Sequence, residues 1–75
     1  MQTKFKRHQK VKLLTNPLPD DTEPHQDPPV QITSGMKGEV NLILQNGQYH
    51  IKVLSDDKKE ILAYVAMDEE NLEAI

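Results

Sequence analysis

The chain has 75 residues, a formal net charge of −3, no cysteine and no tryptophan. A chain of this length closes around one small core at most, and without thiols it has neither disulfide staples nor thiolate metal sites, as expected in a reducing cytoplasm. No apolar run approaches the roughly 20 residues that span a bilayer, and the acidic total opposes a general nucleic-acid binder, which needs a positive field.

Charge is unevenly spread along the chain. Lys4, Lys6, Arg7, Lys10 and Lys12 crowd the start; Asp20, Asp21, Glu23 and Asp27 follow; Asp68, Glu69, Glu70 and Glu73 lie near the end. Such segregation ordinarily marks a solvated surface, and it can also orient a partner. The basic start lacks the apolar stretch of a signal peptide, which again points to the cytoplasm.

Residues 1–9 show no apolar periodicity beyond Phe5 and are expected to form a flexible basic arm, leaving 10–75 as the folded domain. Val11-Lys12-Leu13 opens a period-two alternation that reads as a first strand over residues 10–15. The segment 16–29 holds all five prolines of the chain. Each proline removes a backbone donor and fixes φ, so this proline-rich acidic loop is expected to be neither helix nor ladder-forming strand. A connection of that length without structure of its own is uncommon in a small domain and is often functional.

Val30-Gln31-Ile32 alternates again beside Gly35-Met36-Lys37-Gly38, whose glycines suggest a tight turn with a residue at positive φ. Residues 39–45 then read as a strand, with Val40, Leu42 and Leu44 facing one way. Asn46-Gly47 is a strong signal for a two-residue type I′ hairpin turn. The return strand is Tyr49–Val53. A polar turn at Ser55-Asp56-Asp57-Lys58-Lys59 leads to a strand over 60–66. Met67-Asp68-Glu69-Glu70 suits a single helical turn, and residues 71–75 close as a last short strand, with a helix over 68–75 as the competing reading. The expected inward set is Val11, Leu13, Ile32, Val40, Leu42, Leu44, Tyr49, Ile51, Val53, Ile61, Ala63, Val65 and Leu72. Short strands joined by turns, with no amphipathic helix, predict an all-β chain: a small five-stranded barrel with a long proline-rich loop between its first two strands.

The order strand, long loop, glycine turn, hairpin, short turn, strand, 3₁₀ turn, strand resembles an SH3-like barrel. The resemblance rests on Val11-Lys12-Leu13-Leu14, on Gly35-Met36-Lys37-Gly38-Glu39-Val40 and on Gly47-Gln48-Tyr49-His50-Ile51-Lys52-Val53. Ile61-Leu62-Ala63-Tyr64-Val65 and Asn71-Leu72-Glu73-Ala74-Ile75 complete it. The layout is similar to small bacterial domains of unknown function of the DUF4926 type. More distantly, it resembles the ferredoxin-docking SH3-like subunit of photosynthetic NADH dehydrogenase-like complexes. SH3-like barrels host many unrelated roles, so the resemblance implies a fold rather than an activity.

No catalytic, cofactor or metal site is expected. His8, His25 and His50 match no metal-ligand spacing. His25 with Asp20, Asp21, Glu23 and Asp27 lacks the glycine and terminal glutamate of a calcium loop. Gly35-Met36-Lys37-Gly38 leads into a strand, whereas a phosphate loop leads into a helix. Adjacent Asp56 and Asp57 belong to a turn and do not converge. A receptor for proline-rich peptides needs a groove paved with aromatics, and the chain offers only Phe5, Tyr49 and Tyr64. The chemistry left is that of a non-catalytic interaction module or accessory subunit. Its expected docking set is Pro17, Pro19, Pro24, Pro28 and Pro29 of the stiff loop with outward Leu62, Tyr64 and Met67, and its partner a protein or larger complex. The alternative is a nucleic-acid accessory factor like the KOW-type barrels, using Lys4, Lys6, Arg7 and Lys10 of the arm.

Overall fold

The computed structural model describes residues 4–57 and 60–75. Its strands are β1 (Lys10–Leu13), β2 (Thr22–Pro24), β3 (Lys37–Ile43), β4 (Gln48–Leu54), β5 (Ile61–Asp68) and β6 (Leu72–Ala74). Single 3₁₀ turns precede β2, at Pro19–Asp21, and β6, at Glu69–Asn71. All pairs are antiparallel, in one six-stranded sheet ordered β2-β5-β4-β3-β1-β6. The meander β3-β4-β5 forms one wall. β1 bridges β3 to β6 and curls the sheet around one core, the SH3-like arrangement. The ladder does not run on from β6 to β2, so these two are the sheet's borders.

One row of side chains fills the interior because alternate residues of a strand face the same way. Val11, Leu13, Ile32, Val40, Tyr49, Ile51, Val53, Ala63, Val65 and Leu72 are buried in a single cluster, as their alternation predicts. Gly38 leaves no room for a side chain in that wall. A methyl group there would lie 2.6 Å from the Lys52 carbonyl oxygen and 2.9 Å from Ile51 Cγ2, so the backbones of β3 and β4 close up only around glycine.

Three expected core positions are corrected by register. Val40 pairs with Ile51 but Leu42 pairs with His50, leaving Asn41 as an extra residue in β3. This bulge reverses the alternation beyond Val40. Leu42 is therefore 45 % exposed, and Leu44 is only half-buried. A second irregularity pairs Leu54 with Ile61 and skips Leu62. Ile61 is thus half-buried, while Leu62 packs against the core from its flank.

The hairpin forms where expected but with a different turn. Among the described residues only Gly35, Gly47 and His8 have positive φ, so Asn46 does not take the left-handed geometry a type I′ turn demands. Instead Gly47 N–H donates to Leu44 O (3.2 Å) and Leu44 N–H to Gln48 O (2.8 Å), closing a three-residue loop with Gly47 at φ 88°. Asn46 Oδ1 accepts from Gln48 N–H at 3.0 Å and holds the loop. Gly35, at φ 90°, folds its turn onto β1 by donating to Leu13 O at 2.7 Å.

Residues 4–9 are not a loose arm. Phe5 is fully buried and meets Tyr49 edge-on at 5.3 Å between ring centroids. The Tyr49 hydroxyl donates to Glu69 Oε2 (2.9 Å) and accepts the backbone N–H of Lys4 (3.1 Å) and Phe5 (3.3 Å). His8 N–H donates to Val40 O, and Val40 N–H to Gln9 O, extending β1's border with β3. An isolated aromatic among polar neighbours has no periodicity, so sequence pattern could not place it. Residues 1–3 of the expected arm, and Lys58 and Lys59 of the expected polar turn, lie outside the described residues.

Candidate protein-docking groove

The proline-rich segment is corrected most. Pro19 opens a 3₁₀ turn, where its missing N–H is not needed and its fixed φ fits. Thr22, Glu23 and Pro24 then pair with Val65, Tyr64 and Ala63 of β5. Pro24 is tolerated in a strand because β2 is a border and bonds on one side only. His25 N–H donates to Leu62 O (3.2 Å), and Gln26 Nε2 to Ile61 O (2.8 Å), so the return path is pinned as well. Asp27–Pro28 is a cis peptide. By contrast Val30–Ile32, despite its alternation, joins no ladder. Both edges of β1 are already filled by β3 and β6.

Folded this way, the segment encloses a groove. Pro17, Pro19, Pro24, Pro29, Val30 and Ile32 line a cavity of about 420 Å³ together with Asn16, Thr22 and Gln31. Ile32 is buried at its floor while Val30 stays 37 % exposed. Proline rings have no rotamer freedom to lose and branched aliphatic side chains have little, so these walls are firm. A smaller pocket of about 130 Å³ adjoins it, shares Asn16 and Pro17, and is lined by Asp21 and Asp68 with Thr15, Gln48 and Asn71.

The expected docking residues do not converge on one face. Pro17, Pro19, Pro24 and Pro29 reach the groove; Pro28 is exposed but does not line it. Met67 is only 4 % exposed and belongs to the core, because it continues the Ala63–Val65 alternation by one more step. Leu62 supports the core from its flank. Tyr64 stands on the other side of the sheet from Thr22 and Pro24, in register with Glu23. His50 stacks on its ring at 5.2 Å and His25 meets it edge-on at 5.9 Å. Sequence reading missed Val30 and Ile32 as groove residues, although an apolar pair directly after Pro28-Pro29 carried the signal.

The basic residues proposed for nucleic acid are exposed, and of their charged groups that of Lys10 is held beside a carboxylate. Lys10 Nζ lies 3.3 Å from Glu39 Oε2 and His8 Nδ1 3.3 Å from Glu39 Oε1. Arg7 Nε donates to Asn41 O at 3.2 Å. The Lys4 ammonium lies 5.3 Å from the Phe5 ring centroid, and its backbone N–H is 3.4 Å from Glu69 Oε2. Lys6 is exposed as well. Burial pushes the Glu39 carboxyl up, but hydrogen bonds from His8 and Lys10 and the charges of Lys10 and Lys52 outweigh it and hold the group below its ordinary value. No cluster of three or more histidine, aspartate or glutamate side chains among the described residues is placed to hold a metal ion. No helix among them is long and apolar enough to cross a membrane.

Fold and groove together define a small SH3-like barrel whose longest connection is built into a pocketed surface. No protein-family model, curated protein or solved structure matches the chain.

Proposed function

We propose that this protein is a non-catalytic interaction module that docks on a protein partner through its proline-walled groove. One observation carries the reading: a segment with five prolines is folded and pinned so that four of them wall a single apolar groove of about 420 Å³. A concavity lined mostly by apolar side chains with a few polar groups is the usual form of a binding site, and stiff walls reduce the entropy lost on docking. Kinship with the DUF4926-type domains, and residence in the cytoplasm, belong to the same proposal.

Val30→Lys is the test, because Val30 lines the groove, is partly exposed and sits in no strand. Partners recovered with the wild-type chain are identified, purified and re-tested one to one. Val30→Lys is expected to lower their affinity at least tenfold with an unchanged circular dichroism spectrum, and Tyr64→Ala, on the far face, to leave it intact. Equal binding by wild type and Val30→Lys would overturn the reading.

A further inference from the structure

From Leu13 to Met36 the sequence has no lysine or arginine, yet it carries Asp20, Asp21, Glu23 and Asp27. None of these carboxylates forms an ion pair among the described residues, whereas Glu39 of β3 and Glu73 of β6 each hold a lysine. Glu23 stands on the outer sheet face beside Tyr64, and of the four only Asp21 lines a pocket. In the smaller pocket Asp21 from the first 3₁₀ turn and Asp68 from the end of β5 line one concavity with Asn16, Gln48 and Asn71, and no lysine or arginine lines it. Gln48 Nε2 donates to Asp68 Oδ1 at 3.2 Å, which orients that carboxylate. The apolar groove runs into this pocket over Asn16 and Pro17.

The border strand beside the groove offers little to a partner's backbone. Thr22 N–H already donates to Pro19 O, and Pro24 has no N–H. An occupant is therefore held by its side chains rather than by adding a strand. We infer that the groove and the adjoining pocket form one bipartite site for a protein segment that places apolar side chains against the prolines and a lysine or arginine between Asp21 and Asp68. This inference rests on the docking role proposed above and names its partner's chemistry. A long basic side chain suits the junction, because its methylene stem can lie along Pro17 while its charged head enters the polar pocket. Arginine is favoured over lysine there, since its planar fork can engage a carboxylate and neighbouring amide oxygens together.

Short synthetic peptides test this against the full-length, isotope-labelled chain by amide chemical-shift titration. One peptide combines leucine and proline with arginine; its control carries glutamate at the arginine positions. The basic peptide is expected to shift the amides of Asn16, Thr22, Gln31 and Ile32 and to bind at least tenfold tighter than the acidic control. Raising the salt concentration should weaken it severalfold. Asp21→Asn with Asp68→Asn, both near-isosteric, is expected to remove that tenfold preference and keep the thermal midpoint. Equal binding of the two peptides, or shifts confined to another face, would overturn the inference. So would self-association of the chain that the double variant abolishes, for then a second copy is the occupant. Should the double variant bind purified partners normally while Val30→Lys does not, the partner chemistry is wrong and the docking role stands. Should neither variant affect them, both fall.

Discussion

Glu39 stands between Lys52 and Lys10 in a transverse row on the outer sheet face, Glu23–Tyr64–Lys52–Glu39–Lys10, set by the registers of β2, β5, β4, β3 and β1. Its carboxyl is held below its ordinary value, so Glu39 adds stability above the unfolded-state carboxyl pKa and loses it as pH falls through the lower folded value. Partly exposed pairs of this kind contribute about 0.2–1 kcal/mol. Glu39→Gln is thus expected to lower the urea midpoint slightly at neutral pH, with the gap closing once acid has protonated Glu39 in the wild type. A gap that stayed constant down to strongly acidic pH would show that the charge of Glu39 is irrelevant.

Among elements, the N-terminal segment departs furthest from its appearance in sequence. Phe5 fills the core against Tyr49, and one hydroxyl ties Lys4 and Phe5 to Glu69. Truncating a buried phenylalanine costs about 3–5 kcal/mol, a large share of what a domain this small holds in reserve. Phe5→Ala should therefore unfold much of the population at room temperature, read by circular dichroism, whereas Lys6→Ala, on an exposed neighbour, should be nearly silent. The hairpin, the glycine turn, the last 3₁₀ turn and ten core side chains were legible because period-two alternation and turn chemistry are local signals. Asn41 was not, since a bulge is settled by how β3 must bend between β1 and β4. Nor was β2: only the presence of an open border beside β5 makes a strand ending in Pro24 acceptable. Of the groove, its prolines were legible and its depth was not, because depth depends on Ile32 reaching the floor.

Across the whole molecule, the cations Lys10, Lys12, Lys37 and Lys52 share the strands β1, β3 and β4, whereas Asp21 and Asp68 line the smaller pocket and Glu69 bonds the Tyr49 hydroxyl. Glu39 and Glu73 pair with two of these cations, with Lys12 Nζ 3.7 Å from Glu73 Oε1. A phosphate backbone laid there would have to displace these partners. A mobility-shift assay with single-stranded RNA at low salt is accordingly expected to show no complex. A retarded band that Lys4, Lys6 and Arg7 substitutions remove would instead favour the nucleic-acid alternative.

Pro24 does two jobs at once. It walls the groove, and by leaving the sheet's margin without a donor it withholds the template on which another chain could polymerise. A greasy cleft open to solvent at the rim of a sheet is thereby guarded, by its own wall, from the fibrous fate such rims invite.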